Sequence, residues 1–187
     1  MPLTPFEISI CGIEELAPFE RRGVTHLLSV LDPEYPEPGS LALLNPTHRL
    51  QLRFHDAIDS RPGEILVELD HVRQVLDFGR TLPIGEGHLL VHCHAGISRS
   101  TAFTILLLAQ ALPDVSSEEI VAEIVRVRAR AWPNLRIIEL GDELLGRKGT
   151  LVAAVRARHA EYAKRMPHFV QLMKELGRQR EVEGLIP

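Results

Sequence analysis

Apolar residues recur along the chain with two different periods. Residues 6–10 and 25–31 are short runs rich in apolar and β-branched residues, and residues 49–54 alternate, so that Leu50, Leu52 and Phe54 share one face. These three stretches predict strands. Residues 88–92, with the apolar centre Leu89, Leu90 and Val91, predict a fourth. Helical spacing takes over elsewhere. It is expected over residues 13–22, closed by Gly23, and over 65–82, where Leu66, Leu69, Val72, Val75 and Leu76 recur. Residues 101–112 are apolar all round, which predicts a buried helix. Ser116 and Glu119 form an S-x-x-E capping box for the next helix, which stops near Trp132-Pro133. Further helices are expected over 135–145, 151–165 and 168–180, the last two separated by Met166-Pro167.

Strands interleaved with helices, then helices alone, predict an α/β fold: a small, mainly parallel central sheet flanked by helices, with a helical C-terminal region. We assign residues 1–150 to one domain and 151–187 to a C-terminal helical extension packed on it. No repeat or low-complexity segment interrupts this plan.

Composition narrows the class. The chain has 187 residues, 25% charged and 45% hydrophobic, the profile of a globular domain with one core. Its net charge of −4 gives no overall attraction to nucleic acid or acidic membranes, so any anion site must be built locally. The two cysteines, Cys11 and Cys93, are too few for a disulfide framework and read as intracellular thiols. The first residues lack the basic start and long apolar run of a signal peptide. A cytoplasmic protein that binds neither nucleic acid nor membrane is the expectation.

The strand over 88–92 ends in Cys93, five residues separate Cys93 from Arg99, and the apolar helix begins at once. Strand, loop and helix N-terminus make an anion cradle: loop N–H groups point inward and the helix adds free donors and its positive dipole end. The N–H groups of His94, Ala95, Gly96, Ile97 and Ser98 are the expected donors. Gly96 allows a backbone conformation closed to other residues. Arg99 offers a planar fork to two phosphate oxygens. A thiol at the floor of such a cradle is a nucleophile in line with a bound phosphate monoester. Ser100 can donate its hydroxyl toward the sulfur. A structural role for Cys93, or a zinc site using His92 and His94, fits the pattern less well, because no second ligand cluster is apparent.

At these residues the chain resembles the protein tyrosine phosphatase superfamily. HCHAGISRS, residues 92–100, matches the signature H-C-x-x-G-x-x-R-[ST], and the likeness in layout runs over about residues 6–145. It is nearest the compact, dual-specificity-like branch. The resemblance implies a phosphocysteine intermediate on Cys93, no metal or organic cofactor, and a phosphorylated protein or peptide as substrate, with inorganic phosphate or sulfate as active-site ligands. It further implies an aspartate that protonates the leaving oxygen and then activates water. Asp56 and Asp59, in FHDAIDS, are the candidates; Asp56 directly follows the strand end and is preferred. The family pattern also implies that His92 hydrogen-bonds and orients the loop, and that Asn134 buttresses it, while the backbone N–H of His94 matters more than its ring. Tyr35, in the loop DPEYPEPGS, is a candidate wall of the pocket. Cys11 reads as core and the C-terminal stretch as a solvated, mildly basic helical face. Two other readings remain: a phosphoinositide or inositol-phosphate phosphatase, against which the absence of lysine in the signature loop argues, and a pseudophosphatase that binds phosphate without hydrolysing it.

Overall fold

The structure is a computed structural model and describes residues 4–185. Strands β1 (Glu7–Cys11), β2 (His26–Leu31), β3 (His48–Arg53) and β4 (His88–His92) form one sheet in the order β1-β4-β2-β3, parallel throughout. Parallel strands need crossovers, and helix α1 (Leu69–Gly79) lies on the one that leads from β3 past β2 to β4. β2 and β4 lie at the centre and every residue of each is buried, which is why their sequences run apolar without alternation. β3 is an edge strand and keeps its outward residues polar.

The two faces of the sheet are covered differently. Ile10, Val91, Leu28 and Val30 point into the main core with helices α1 and α2 (Arg99–Ala111). Leu90, Leu27 and Cys11 point the other way, against Leu16, Leu41 and Leu44 from short 3-10 turns. α2 is buried along nearly its whole length, so it has no polar face. Against it pack α3 (Ser117–Val127) and α4 (Leu135–Leu144), and α5 (Thr150–Arg165) packs on these two from outside. Ser116 caps α3 through the reciprocal box with Glu119, and the Asp142 carboxylate caps α5 by accepting from the N–H groups of Gly149 and Leu151 at 2.5 and 2.8 Å.

Three predicted helices differ in the structure. Residues 13–22 form two 3-10 turns, Ile13–Glu15 and Ala17–Arg21, because Pro18 falls at the start of the second turn, where its missing N–H breaks a continuous helix. The helix expected over 65–82 begins only at Leu69; residues 64–68 stay extended, with Ile65 donating its N–H to the His55 ring and accepting one from the His55 backbone. The last predicted helix splits into α6 (His168–Glu175) and a single turn, α7 (Gln179–Val182). Gly177, at φ +67°, turns the chain between them, a conformation that favours glycine. No helix among the described residues is long and apolar enough to cross a membrane.

Candidate active site

The loop after β4 is held by its carbonyls. The His94 carbonyl accepts from the Ile13 N–H at 3.0 Å, and those of Ala95 and Gly96 accept from the Arg128 guanidinium at 3.0 and 2.9 Å. The Ile97 carbonyl takes the Trp132 N–H at 3.0 Å, and that of Ser98 takes the Asn134 N–H at 3.3 Å. Every carbonyl from His94 to Ser98 is thus tied outward. Among the described residues, no backbone N–H of this loop donates to another protein group. Such a set of free donors at a helix start is an anion-binding nest. Gly96, at φ +67°, closes the curl where a Cβ would lie 2.4 Å from the backbone of Cys11.

Cys93 sits at the floor, with its Sγ 3.2 Å from the Ser100 hydroxyl. Arg99 is 2% exposed. Its Nη1 donates to Asp32 Oδ1 and to the Phe54 carbonyl, both at 2.6 Å, while its Nε has no partner within the protein. The outer edge of the guanidinium is therefore fixed and a donor on the other edge is left for a ligand.

The two candidate acids are separated. Asp56 lines the same cavity as Cys93 and Arg99, a space of about 260 Å³. Its Oδ1 accepts from the Ser98 hydroxyl and from Asn134 Nδ2, each at 2.8 Å, and its Oδ2 faces Arg178 Nη1 at 3.2 Å. Burial pushes the carboxyl up, but the charges of Arg178 and Arg99 and the bonds from Asn134 and Ser98 outweigh it and hold the group below its ordinary value. Asp59 is outside the cavity and is bound by Arg180 Nε at 2.7 Å.

Several predicted roles change in detail. The His92 ring has no side-chain partner and lies against the backbone of Cys93. Strand alternation turns it to the opposite face from Cys93, in the row of Ser29 and Cys11, and burial pushes it down to about 4. The His94 ring is not idle: its Nε2 accepts the Asp32 N–H at 3.2 Å, and Tyr35 packs on it edge-on at 4.5 Å. Tyr35 buttresses His94 rather than lining the cavity. Asn134 spends its side chain on the loop of Asp56 and on capping α4; only its backbone holds the Cys93 loop. Cys11 lies in the core of the second face with its thiol pushed up by burial to about 12, and points away from Cys93.

The C-terminal stretch departs furthest from its predicted solvated face. Phe169, Leu172, Met173, Leu176 and Arg178 line the cavity opposite the loop, beside Trp132. Arg178 is 4% exposed, and Glu181 accepts from Arg178 Nε and Nη2, from Trp132 Nε1 and from the Leu135 N–H, at 2.7 to 2.9 Å. Four donors satisfy a buried carboxylate. Behind Trp132, the His159 ring stacks at 4.1 Å and bonds the Pro133 carbonyl, and Arg158 bonds the carbonyls of Ala129 and Ala131. Asp32, Arg128 and Arg178 were not legible as site residues. Only Asp32 carried a signal, at the C-terminal end of a central parallel strand, where ligands of such sheets bind.

No family model matches the chain, and no curated protein does. Solved structures match in fold. The crystal structure of human DUSP28 is 18% identical, with a TM-score of 0.56 over 78% of this chain and 94% of that one. A mouse putative dual specificity phosphatase complexed with zinc tungstate is 19% identical (TM-score 0.55, 82% of this chain, 89% of that one). The human tyrosine phosphatase-like serine/threonine/tyrosine-interacting protein is 20% identical (TM-score 0.53, 78% and 95%). The chain has the fold of the compact, dual-specificity type of cysteine-based phosphatase.

Proposed function

We propose that the protein is a cysteine-dependent phosphomonoester hydrolase of cytoplasmic phosphoproteins, a protein tyrosine phosphatase of the dual-specificity type. The observation that carries this reading is the loop of free N–H donors, with the unpartnered Arg99 Nε, in one cavity with the Cys93 thiol. In the first step the Cys93 thiolate attacks phosphorus and the P–O bond of the ester breaks. The leaving oxygen takes the proton of Asp56. In the second step water attacks phosphorus, the P–S bond breaks, Ser100 donates to the departing sulfur, and Asp56 takes the proton of the water. The protonated Asp56 so formed serves the next turnover. Throughout, the loop donors and Arg99 hold the equatorial oxygens as charge spreads over them.

The cavity favours one phosphate per substrate. Its other cation, Arg178, is committed to Asp56 and Glu181, and the remaining lining is largely apolar. A polyphosphorylated inositol would bring charges to a wall that has nothing to pair with them. Binding without hydrolysis is the second reading, favoured by the ion pair that holds Asp56 as carboxylate. Hydrolysis of p-nitrophenyl phosphate separates the two. Turnover lost in Cys93→Ser, with a trapped phosphoenzyme in the parent, supports the hydrolase; tungstate binding with no turnover in the parent supports the binder.

A further inference from the structure

The cavity has a floor and a wall of opposite character. The floor is the polar cradle of residues 93–99. The wall comes from α6 and the turn after it, with Phe169, Leu172, Met173 and Leu176 beside Trp132. Phe169 lies 4.9 Å from the Trp132 ring and 5.1 Å from Tyr162, and Trp132 is stacked in turn on His159, so the wall rests on a fixed aromatic layer. Leu172 and Leu176 remain 40% and 52% exposed at its mouth. Asp56 faces this side, held by Arg178 from the same segment.

We propose that the C-terminal segment selects the leaving group: α6 takes an aromatic ring between the cradle and the mouth, Arg178 positions Asp56 beside it, and aryl phosphomonoesters are thereby preferred to alkyl ones. The proposal rests on the hydrolase reading and names its substrate class. A ring attached to the bound phosphate reaches the apolar wall and removes it from water, whereas the single methylene of a phosphoserine leaves the wall wet. The ion pair acts in the same sense. A phenol leaves with little help, because its own oxygen holds a proton weakly, near ~10 on the pKa scale, whereas an alkoxide needs full protonation by an acid that Arg178 disfavours.

The test compares two peptides of one sequence, carrying phosphotyrosine or phosphoserine. The full chain should prefer phosphotyrosine in kcat/KM. Phe169→Ala and Met173→Ala should each raise KM for phosphotyrosine about tenfold, the scale of one lost apolar contact. KM for phosphoserine and inhibition by inorganic phosphate should stay the same. Arg178→Met should move the alkaline limb of the kcat profile to higher pH, since losing the cation strengthens Asp56 as a proton holder, and Arg178→Lys should restore part of the shift. Equal turnover of both peptides, or wall variants that weaken both alike, would overturn the wall. An unmoved pH limb in Arg178→Met, with melting temperature alone reduced, would overturn the role of Arg178. If the parent hydrolyses neither peptide, the hydrolase reading fails. The wall is then tested by binding alone, and equal affinity of Cys93→Ser for the two peptides would overturn it.

Discussion

The cradle and the wall enclose one cavity but are made in opposite ways. The cradle is contiguous in sequence: residues 93–99 follow a strand and open a helix, and Ile13, Arg128, Trp132 and Asn134 hold its carbonyls from outside. The wall is assembled from distant pieces. Trp132 enters from the connection between α3 and α4, Phe169 and Met173 from α6, and Arg178 from the turn beyond it. Contact at long range brings these together through Glu181 and the aromatic layer over Trp132. One part of a site can thus be written in a short stretch while the rest is dispersed over the fold.

The comparison breaks most sharply at the cradle. Cys93→Ser should abolish turnover, by roughly 10⁴-fold or more, while tungstate or phosphate still binds. An active serine variant would remove the nucleophile from Cys93. Asp56→Asn should lower kcat by ~10²–10⁴-fold, the range of general acid–base catalysis, and Asp59→Asn should leave kcat near the parent value because its partner is Arg180. The reverse outcome, read in steady-state kinetics, would exchange the two aspartates.

At the dispersed end the effects are on stability. Glu181→Gln leaves Arg178 buried beside a single carboxylate and removes an acceptor from Trp132 or Leu135; denaturant unfolding should show a loss of about 3 kcal/mol. A smaller effect concerns His159, whose ring burial pushes down to about 3. The unfolded chain binds its proton near ~6.5. Below that value the unfolded state holds the proton that the folded ring refuses. Stability is complete above about pH 6.5 and falls as the pH drops toward 3. His159→Phe, which keeps a ring against Trp132, should flatten that fall in a series of melting curves.

The legible and illegible parts divide along the same line. β4, the capping box of Ser116 and Glu119 and the loop of Cys93 could be read because each carries its signal in a few consecutive residues. Two stretches, residues 13–22 and 65–68, misled because helical spacing says nothing of a proline's missing N–H or of an extended backbone pairing with His55. Strand alternation alone places the His92 ring on the face opposite the Cys93 side chain. Arg178 looked like one more cation on a basic tail. Its role depends on meeting Asp56 across the whole length of the helical region, which no local pattern encodes.

Glu181 gives the site an order of completion. A nascent chain that has emerged through α5 already carries Cys93, Arg99 and Asp56, yet Trp132 has no acceptor for its indole and Asp56 no cation at its Oδ2. Only when the turn at Gln179–Val182 docks do both find partners at once. Among the described residues this turn follows every other element, so under the proposed reading the loop that would hold phosphate is made before the wall that would choose what is attached to it.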